Sequence, residues 1–288
     1  MASNNMQDIK RRMRSVTSVE HITNAMKLVS AAKLRKAKAT FEKSIKNFHF
    51  IIESIESIFN NTNEIPAKYL LENREIKTTC YIIVTSNRGL CGSFNSNVIK
   101  AAENEMLSDE EAPVIVAIGS RGRDYFGKRD YNIYSEYNAP PEDISFLETR
   151  EISMPIIDMF DAGEIDEVML VYTSFITTLE QKVKCVTLLP FQIDSDPDSI
   201  RDTQQVEYEP SVEEVFNYLV PKYVEIMIYE AIVESATCEH AARRMAMENA
   251  TDNASEILED LSLYYNRARQ AAITDAIIEI VAGSEAQK

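Results

Sequence analysis

Both ends of this 288-residue chain lack the two residues that interrupt helices. Its nine prolines run from Pro66 to Pro221. Its seven glycines are Gly89, Gly92, Gly119, Gly122, Gly127, Gly163 and Gly283. Residues 1–65 and 222–282 therefore contain neither. A stretch of about 60 residues without turn residues fits continuous helix and little else. An all-β sandwich or barrel needs turn residues throughout and is disfavoured. Collagen-like and Gly/Ser-linker readings fail on the same count.

Apolar spacing supports helices at both ends. Ile9, Met13, Val16, Val19, Ile22, Met26 and Val29 recur at helical intervals. After the small residues Ala31, Ala32, Ala37 and Ala39, a heptad seam follows: Phe41, Ile45, Phe48, Ile52, Ile55 and Phe59. Asn60, Asn61 and Asn63, then Pro66, close it. A helix of about 52 residues would extend roughly 80 Å, so it must project or pair with another long helix. From Ser211 to Val281 a second stripe runs through Val224, Ile228, Ile232, Cys238, Ala242, Met245, Ile257, Leu261, Tyr264, Ala268 and Ala271. Pro221 marks an expected kink and Gly283 the expected stop. Asn249, Thr251, Asp252 and Asn253 are expected to face solvent or a polar partner.

The middle alternates between two periods. Cys80–Thr85, Val114–Ile118, Val168–Thr173 and Lys182–Leu189 are short apolar runs that read as strands. Phe94–Met106, Arg121–Lys128 and Phe146–Asp161 read as helices, the last kinked or split at Pro155. Such alternation predicts a mostly parallel sheet with helices on its faces, a Rossmann-like three-layer domain. The fold class is therefore α/β plus a long antiparallel α-helical coiled coil formed by the N- and C-terminal helices. Expected boundaries are 1–62 for the first helix, 63–210 for the central domain and 211–288 for the last helix.

The formal net charge of −16 hides an asymmetry. Residues 1–50 carry 11 Lys and Arg against 3 Asp and Glu, while residues 210–288 carry 6 against 14. Opposite charges suit antiparallel partners and select orientation more than they add stability. Two other readings stand beside that one: solvated faces, or a basic helix that meets nucleic acid or an acidic partner. No apolar run approaches the roughly 20 residues of a membrane span. The four cysteines, Cys80, Cys91, Cys185 and Cys238, match no zinc or redox spacing, which fits a reducing compartment.

Two glycine-bearing segments invite a chemical reading. Gly122-Arg-Asp-Tyr-Phe-Gly127-Lys128 fits seven positions of a phosphate-binding Walker loop. The eighth, which should supply a magnesium-binding hydroxyl, is Arg129. A turn followed by a short basic helix accounts for it better. Arg88-Gly89-Leu-Cys91-Gly92 follows a strand and precedes a helix, as phosphate loops do. Ser93 or Asn95 as a helix cap explains the same composition without a ligand. The three histidines, His21, His49 and His240, all fall in the terminal helices, away from Cys91 in sequence. Nothing reads as a catalytic constellation, and no metal or cofactor site is expected. Arg243-Arg244 and Arg267-Ala-Arg269-Gln270 form basic islands in an acidic helix, suited to partner carboxylates or to pairing with Glu239 and Glu248.

At these residues the chain resembles the gamma subunit of F-type ATP synthases. Ile9-Lys-Arg-Arg-Met-Arg-Ser-Val16, Ile22-Thr-Asn-Ala-Met-Lys-Leu-Val29 and Ala32-Lys-Leu-Arg-Lys-Ala37 resemble the family's first helix. Ser86-Asn-Arg-Gly-Leu-Cys-Gly-Ser-Phe-Asn95 resembles its central loop. Ala242-Arg-Arg-Met-Ala-Met247, Ala250-Thr-Asp-Asn-Ala254, Tyr265-Asn-Arg-Ala-Arg-Gln-Ala-Ala-Ile-Thr274 and Glu279-Ile-Val-Ala-Gly283 resemble its last helix. Residues 120–210 match by pattern more than by motif.

The resemblance implies a rotor shaft that couples ion flow to ATP synthesis and hydrolysis without being catalytic itself. It implies alpha, beta and epsilon subunits and the membrane c-ring as partners. It also implies a peripheral place on the cytoplasmic face of a bacterial plasma membrane, with no nucleotide bound directly. Met26 and Lys27 match the first-helix segment that faces the beta subunit. Arg243, Arg269, Gln270 and Thr274 match last-helix contact positions, and Arg267 lies in the same motif. Arg88, Gly89, Cys91 and Gly92 match the central-domain turn. The chain departs from the pattern at residues 1–5, which extend the usual start, and at Asp275-Ala276, where many relatives carry Glu second. The alternative remains a coiled-coil scaffold or a nucleic-acid-binding protein working through the basic first helix.

Overall fold

A computed structural model of the chain describes residues 2–61, 66–70, 76–109, 111–138, 144–191, 209 and 211–285. Two compact units are present, one made of Met1–Ala31 with Arg243–Lys288 and the other of Ala32–Ala242. Helix α1 spans Ala2–Asn61. Helix α5 spans Val212–Glu285 as one helix, through Pro221 and beyond Gly283. Pro221 therefore does not break the helix, and the helix does not stop at Gly283. Pro221 lies in the third turn, and its ring fixes φ in the helical range while removing only one N–H.

The larger unit holds a five-stranded sheet: β1 (Thr79–Val84), β2 (Val114–Ile118), β3 (Asn132–Tyr137), β4 (Glu167–Phe175) and β5 (Gln181–Leu189). The order is β3-β2-β1-β4-β5, with the first four strands parallel and β5 antiparallel to β4. Helices α2 (Phe94–Met106), α3 (Ser120–Gly127) and α4 (Phe146–Ala162) connect the strands. Pro155 sits inside α4 without ending it. The helix starts at a full capping box, Ser145 with Glu148, and stops at Gly163 in the left-handed conformation.

Alternation along the strands divides the core in two. Tyr81, Ile83, Ile115 and Ala117 pack with Val98, Ala102 and Phe126 of α2 and α3. Cys80, Ile82, Val84, Val116 and Leu170 pack on the other face with Ile156 and Phe160 of α4 and with Phe216, Val224, Ile228 and Ile232 of α5. This is the three-layer arrangement. Strand β3 has no counterpart in the sequence reading. Its residues, Asn-Ile-Tyr-Ser-Glu-Tyr, lie at the sheet edge and are mostly exposed, so no apolar run announces them.

The smaller unit is a pair of helices. Thr251 Oγ1 donates to Thr23 Oγ1 (2.8 Å), and Ser255 Oγ donates to Glu20 Oε1 (2.8 Å). As one chain position rises the other falls, so the helices are antiparallel. The seam differs from the expected one. Thr23 and Ser30 of α1 are buried, whereas Val19, Ile22 and Val29 are exposed. On α5, Met247, Thr251, Ala254 and Leu261 are buried, whereas Ile257 and Tyr264 are exposed. Thr251 thus enters the seam, while Asn249, Asp252 and Asn253 do face outward. Small and hydroxylated residues share the seam with Met247 and Leu261, while Val19, Ile22, Val29, Ile257 and Tyr264 are left outside.

Within the larger unit, Leu34, Ala37 and Ser44 of α1 are buried, and Phe41 packs at the main core. The side chains of Ile45, Phe48, Ile55 and Phe59 lie outside the described residues, as does Asn63.

Candidate functional site

Open α/β sheets bind ligands outside the carboxyl ends of their strands, where the strand order reverses. Here that point lies between β1 and β4. Strand β1 pairs with β4 only as far as Ile83 and Val171, so the last residues of β4 run on beyond it. Helix α5 covers this overhang. Ser235 Oγ accepts from the Thr173 N–H (3.2 Å), and Glu234 Oε1 accepts from both the Phe175 N–H and the Ser174 hydroxyl (2.8 Å each). The Cys238 thiol donates to Thr173 O (3.5 Å), and Gln181 Nε2 donates to Cys238 O (3.1 Å). Cys238 also packs with Cys91 and Phe94 of the β1–α2 turn. The crevice of a nucleotide-binding fold is thus filled by the chain's own last helix.

The turn Arg88, Gly89, Cys91, Gly92 is closed from within. Asn95 Oδ1 accepts from the Ser86 N–H (2.9 Å), and Asn95 Nδ2 donates to Cys91 Sγ (3.2 Å). Asn95 therefore ties the turn to the end of β1 instead of capping α2, and Ser93 makes no side-chain cap bond. A Cβ on Gly89 would meet the Arg121 guanidinium at 2.8 Å, so the space over that glycine is taken. Cys91 is buried and Arg88 exposed. Burial raises the thiols of Cys80, to about 12, and of Cys238, where the Glu234 charge adds to it. These two are uncharged packing groups, not nucleophiles.

The Walker-like segment is helix. Gly122 through Gly127 lie inside α3, and Gly122 N–H donates to Thr85 Oγ1 (2.8 Å). Arg129 stacks on the Tyr125 ring (3.6 Å), which leaves no loop to wrap a phosphate. Among the described residues, no group of three His, Cys, Asp or Glu could hold a metal, and no helix is long and apolar enough to cross a membrane.

The other sequence-flagged residues lie on the helix pair, in two places. Met26, Lys27 and Arg243 are at least partly buried, and Arg243 is only 8% exposed. Arg267, Arg269, Gln270 and Thr274 are exposed further along α5, where Thr274 Oγ1 donates to Gln270 O (3.0 Å). The antiparallel register puts Met26 and Lys27 beyond Thr23 on the Met247 side, and residues 267–274 on the other side of Ser255. Arg244 pairs with Glu248 at 4.0 Å, the pairing its spacing suggests. Around residues 267–274 large side chains are bare: Ile273, Ile277, Ile278 and Ile280 are 52–72% exposed. An isolated chain gains nothing from such a face.

A family model described as ATP synthase matches residues 5–287. The ATP synthase gamma chain of Alkaliphilus metalliredigens is 45% identical over 287 residues, 98% of this chain and 99% of that one. This chain belongs to the ATP synthase gamma family. The sodium ion specific ATP synthase gamma chain of Acetobacterium woodii is 40% identical over 299 residues, 98% of each chain. Among solved structures, the central stalk and c-ring of Tetrahymena thermophila mitochondrial ATP synthase contains a chain with 26% identity and a TM-score of 0.63. That match covers 80% of this chain and 99% of the other. A rotor chain of the Euglena gracilis mitochondrial ATP synthase has the same fold, with a TM-score of 0.69 at 17% identity over 94% and 99% of the two chains.

Family membership makes the chain a non-catalytic central-stalk subunit of a membrane-associated ATP synthase. The filled crevice is consistent with that: the position where an open α/β sheet takes a ligand is used here for packing. The scaffold and nucleic-acid readings drop out. Sequence reasoning missed Glu234 and Ser235, whereas Thr251, expected to face solvent or a polar partner, meets the Thr23 hydroxyl. An acid and a hydroxyl on a long acidic helix carry no signal of what they will face.

Proposed function

We propose that the chain is the turning shaft through which ion flow at a c-ring drives ATP synthesis in a ring of alpha and beta subunits. The end-to-end identity with gamma chains carries this reading. In it, 1–62 and 211–288 form the shaft, and 63–210 forms the central domain that meets the c-ring and the epsilon subunit. Met26, Lys27, Arg243, Arg267, Arg269, Gln270 and Thr274 are its contacts with the surrounding subunits or between its helices. Arg88, Gly89, Cys91 and Gly92 form the turn of the central domain. The complex sits on the cytoplasmic face of a bacterial plasma membrane.

Two physical features favour this use of the shaft. The exposed isoleucines near the end of α5 fit an apolar sleeve. The exposed Arg267 and Arg269 beside them suit acidic loops, because a guanidinium fork matches a carboxylate. Coupling requires each shaft orientation to favour a different catalytic-subunit state, so the contacts must differ around the helix pair. The decisive experiment mixes this chain with purified alpha and beta subunits from the same cell. A stable, ATP-hydrolysing complex is expected. Failure to associate overturns the reading.

A further inference from the structure

The overhanging end of β4 is where both long helices meet the sheet within the larger unit. From α5, Glu234 and Ser235 serve the Phe175 and Thr173 N–H groups, which β1 is too short to reach. From α1, Phe41 packs edge-on against the Phe175 ring, with centroids 6.4 Å apart and planes at 74°. Lys38 Nζ lies 6.0 Å from the centre of the same ring. A strand end left bare would carry unpaired backbone donors, a cost that folded chains avoid. Here the donors are satisfied by a carboxylate, and charge-assisted bonds of 2.8 Å are the strong kind.

We propose that Glu234, supported by Ser235, fastens the shaft helix to the sheet, so that torque applied to the central domain enters α5 at the end of β4. This rests on the rotor reading above. The helix also holds this strand end through the Cys238 thiol, which donates to Thr173 O (3.5 Å). Its main contact with the sheet is the apolar face of Phe216, Val224, Ile228 and Ile232, and apolar contact is non-directional. A hydrogen-bonded clasp resists sliding and rotation that an apolar face permits. Glu234 is therefore a positioning residue for coupling, and Phe175 is the point it holds.

The test uses the assembled complex in inverted membrane vesicles. Glu234→Ala, Glu234→Gln and Ser235→Ala are compared with the unaltered chain. Assembled complex is quantified, ATP hydrolysis is measured, and charge movement is followed with a potential-sensitive dye, so that the coupling ion need not be known. In Glu234→Ala, charge moved per ATP hydrolysed is expected to fall at least about twofold against an opposing potential, because losing charge-assisted bonds changes the fastened population severalfold. Glu234→Gln is expected to keep most of it, since an amide oxygen still accepts from the Phe175 N–H. Ser235→Ala should lie between them. A merely structural role would lower the amount of complex and leave charge per ATP unchanged in what assembles, and that result overturns the proposal. Should Glu234→Ala fail to assemble, Ser235→Ala decides by the same ratio. If the unaltered chain itself does not couple, the rotor reading fails, which is a separate outcome.

Discussion

One helix passes through two environments, and the contrast separates what this chain does for itself from what it leaves to others. Between Phe216 and Ile232, α5 buries Phe216, Val220, Val224, Ile228 and Ile232 completely against the sheet. Between Ile273 and Val281, the same kinds of residue are more than half exposed. Residue type does not account for the difference. Among the described residues, the first stretch has a cover within the chain and the second has none. Apolar spacing therefore marks a face that can be covered and does not say whether the chain itself covers it.

The sharpest way to break this comparison is to put the same charge on each stretch. Ile228→Asp buries an unpaired carboxylate and should cost at least about 4 kcal/mol, enough to unfold the larger unit. Ile278→Asp should change the free chain's stability by less than about 0.5 kcal/mol and still weaken binding to the alpha and beta subunits. Denaturant unfolding of the free chain and pull-down with those subunits measure the two effects. Equal loss of stability in both variants would show that the α5 end is covered by the chain itself.

A second contrast concerns the backbone. Gly119 ends β2 at φ +96°, and a Cβ there would lie 2.1 Å from Thr85 O. Gly119→Ala should therefore cost roughly 2–4 kcal/mol by the same assay, through the strained φ and a clash with backbone that cannot move aside. The helix pair contains no such position among its described residues. There the equivalent insult is Ala254→Gly, which should cost about 1 kcal/mol from helix propensity alone. In the assembled complex that variant also tests whether torque needs a stiff shaft. Unaltered coupled ATP synthesis would show that stiffness at this turn is dispensable.

Legibility followed the same divide. Four of the five strands and all five helices are readable in the sequence, because a buried strand needs an unbroken apolar run and a long helix needs an absence of breakers. Val114–Ile118 and Phe94–Met106 coincide with the expected spans. Asn132–Tyr137 was hidden because an edge strand buries little. The seam of the helix pair was misread for a related reason. Val19, Ile22, Ile257 and Tyr264 obey helical spacing, but they belong to a second, outward stripe, and an apolar-count rule cannot rank two stripes. Buried threonines and alanines, which let the helices approach, look like surface residues to such a rule. The basic islands Arg243-Arg244 and Arg267-Ala-Arg269-Gln270 stand out by charge in an acidic helix, while Met26, Lys27 and Thr274 are singled out only by family motifs. Glu234 and Thr251 depend on which backbone or side chain the fold brings opposite, and nothing local encodes that.

The polar seam offers the finest test. Thr23 and Thr251 are both buried and bonded to each other at 2.8 Å, and each also has a carbonyl of its own helix within reach, Glu20 O at 3.1 Å and Met247 O at 2.7 Å. Either hydroxyl left alone keeps that local acceptor, so the single variants Thr23→Val and Thr251→Val should each cost only about 0.5–1 kcal/mol. The double variant removes both polar groups and should cost less than the sum, with a coupling of about 0.5 kcal/mol in a double-mutant cycle. Unfolding of the free chain supplies all four stabilities. What the valines gain in apolar contact they lose in register, since a hydroxyl pair specifies one alignment and an apolar pair tolerates sliding. A cysteine pair engineered at Glu20 and Ser255, another bonded pair in the seam, reads that register directly. Cross-linking should be efficient in the unaltered seam and fall in the double-valine chain. An additive cycle with undiminished cross-linking would mean that the helix pair takes its alignment from elsewhere.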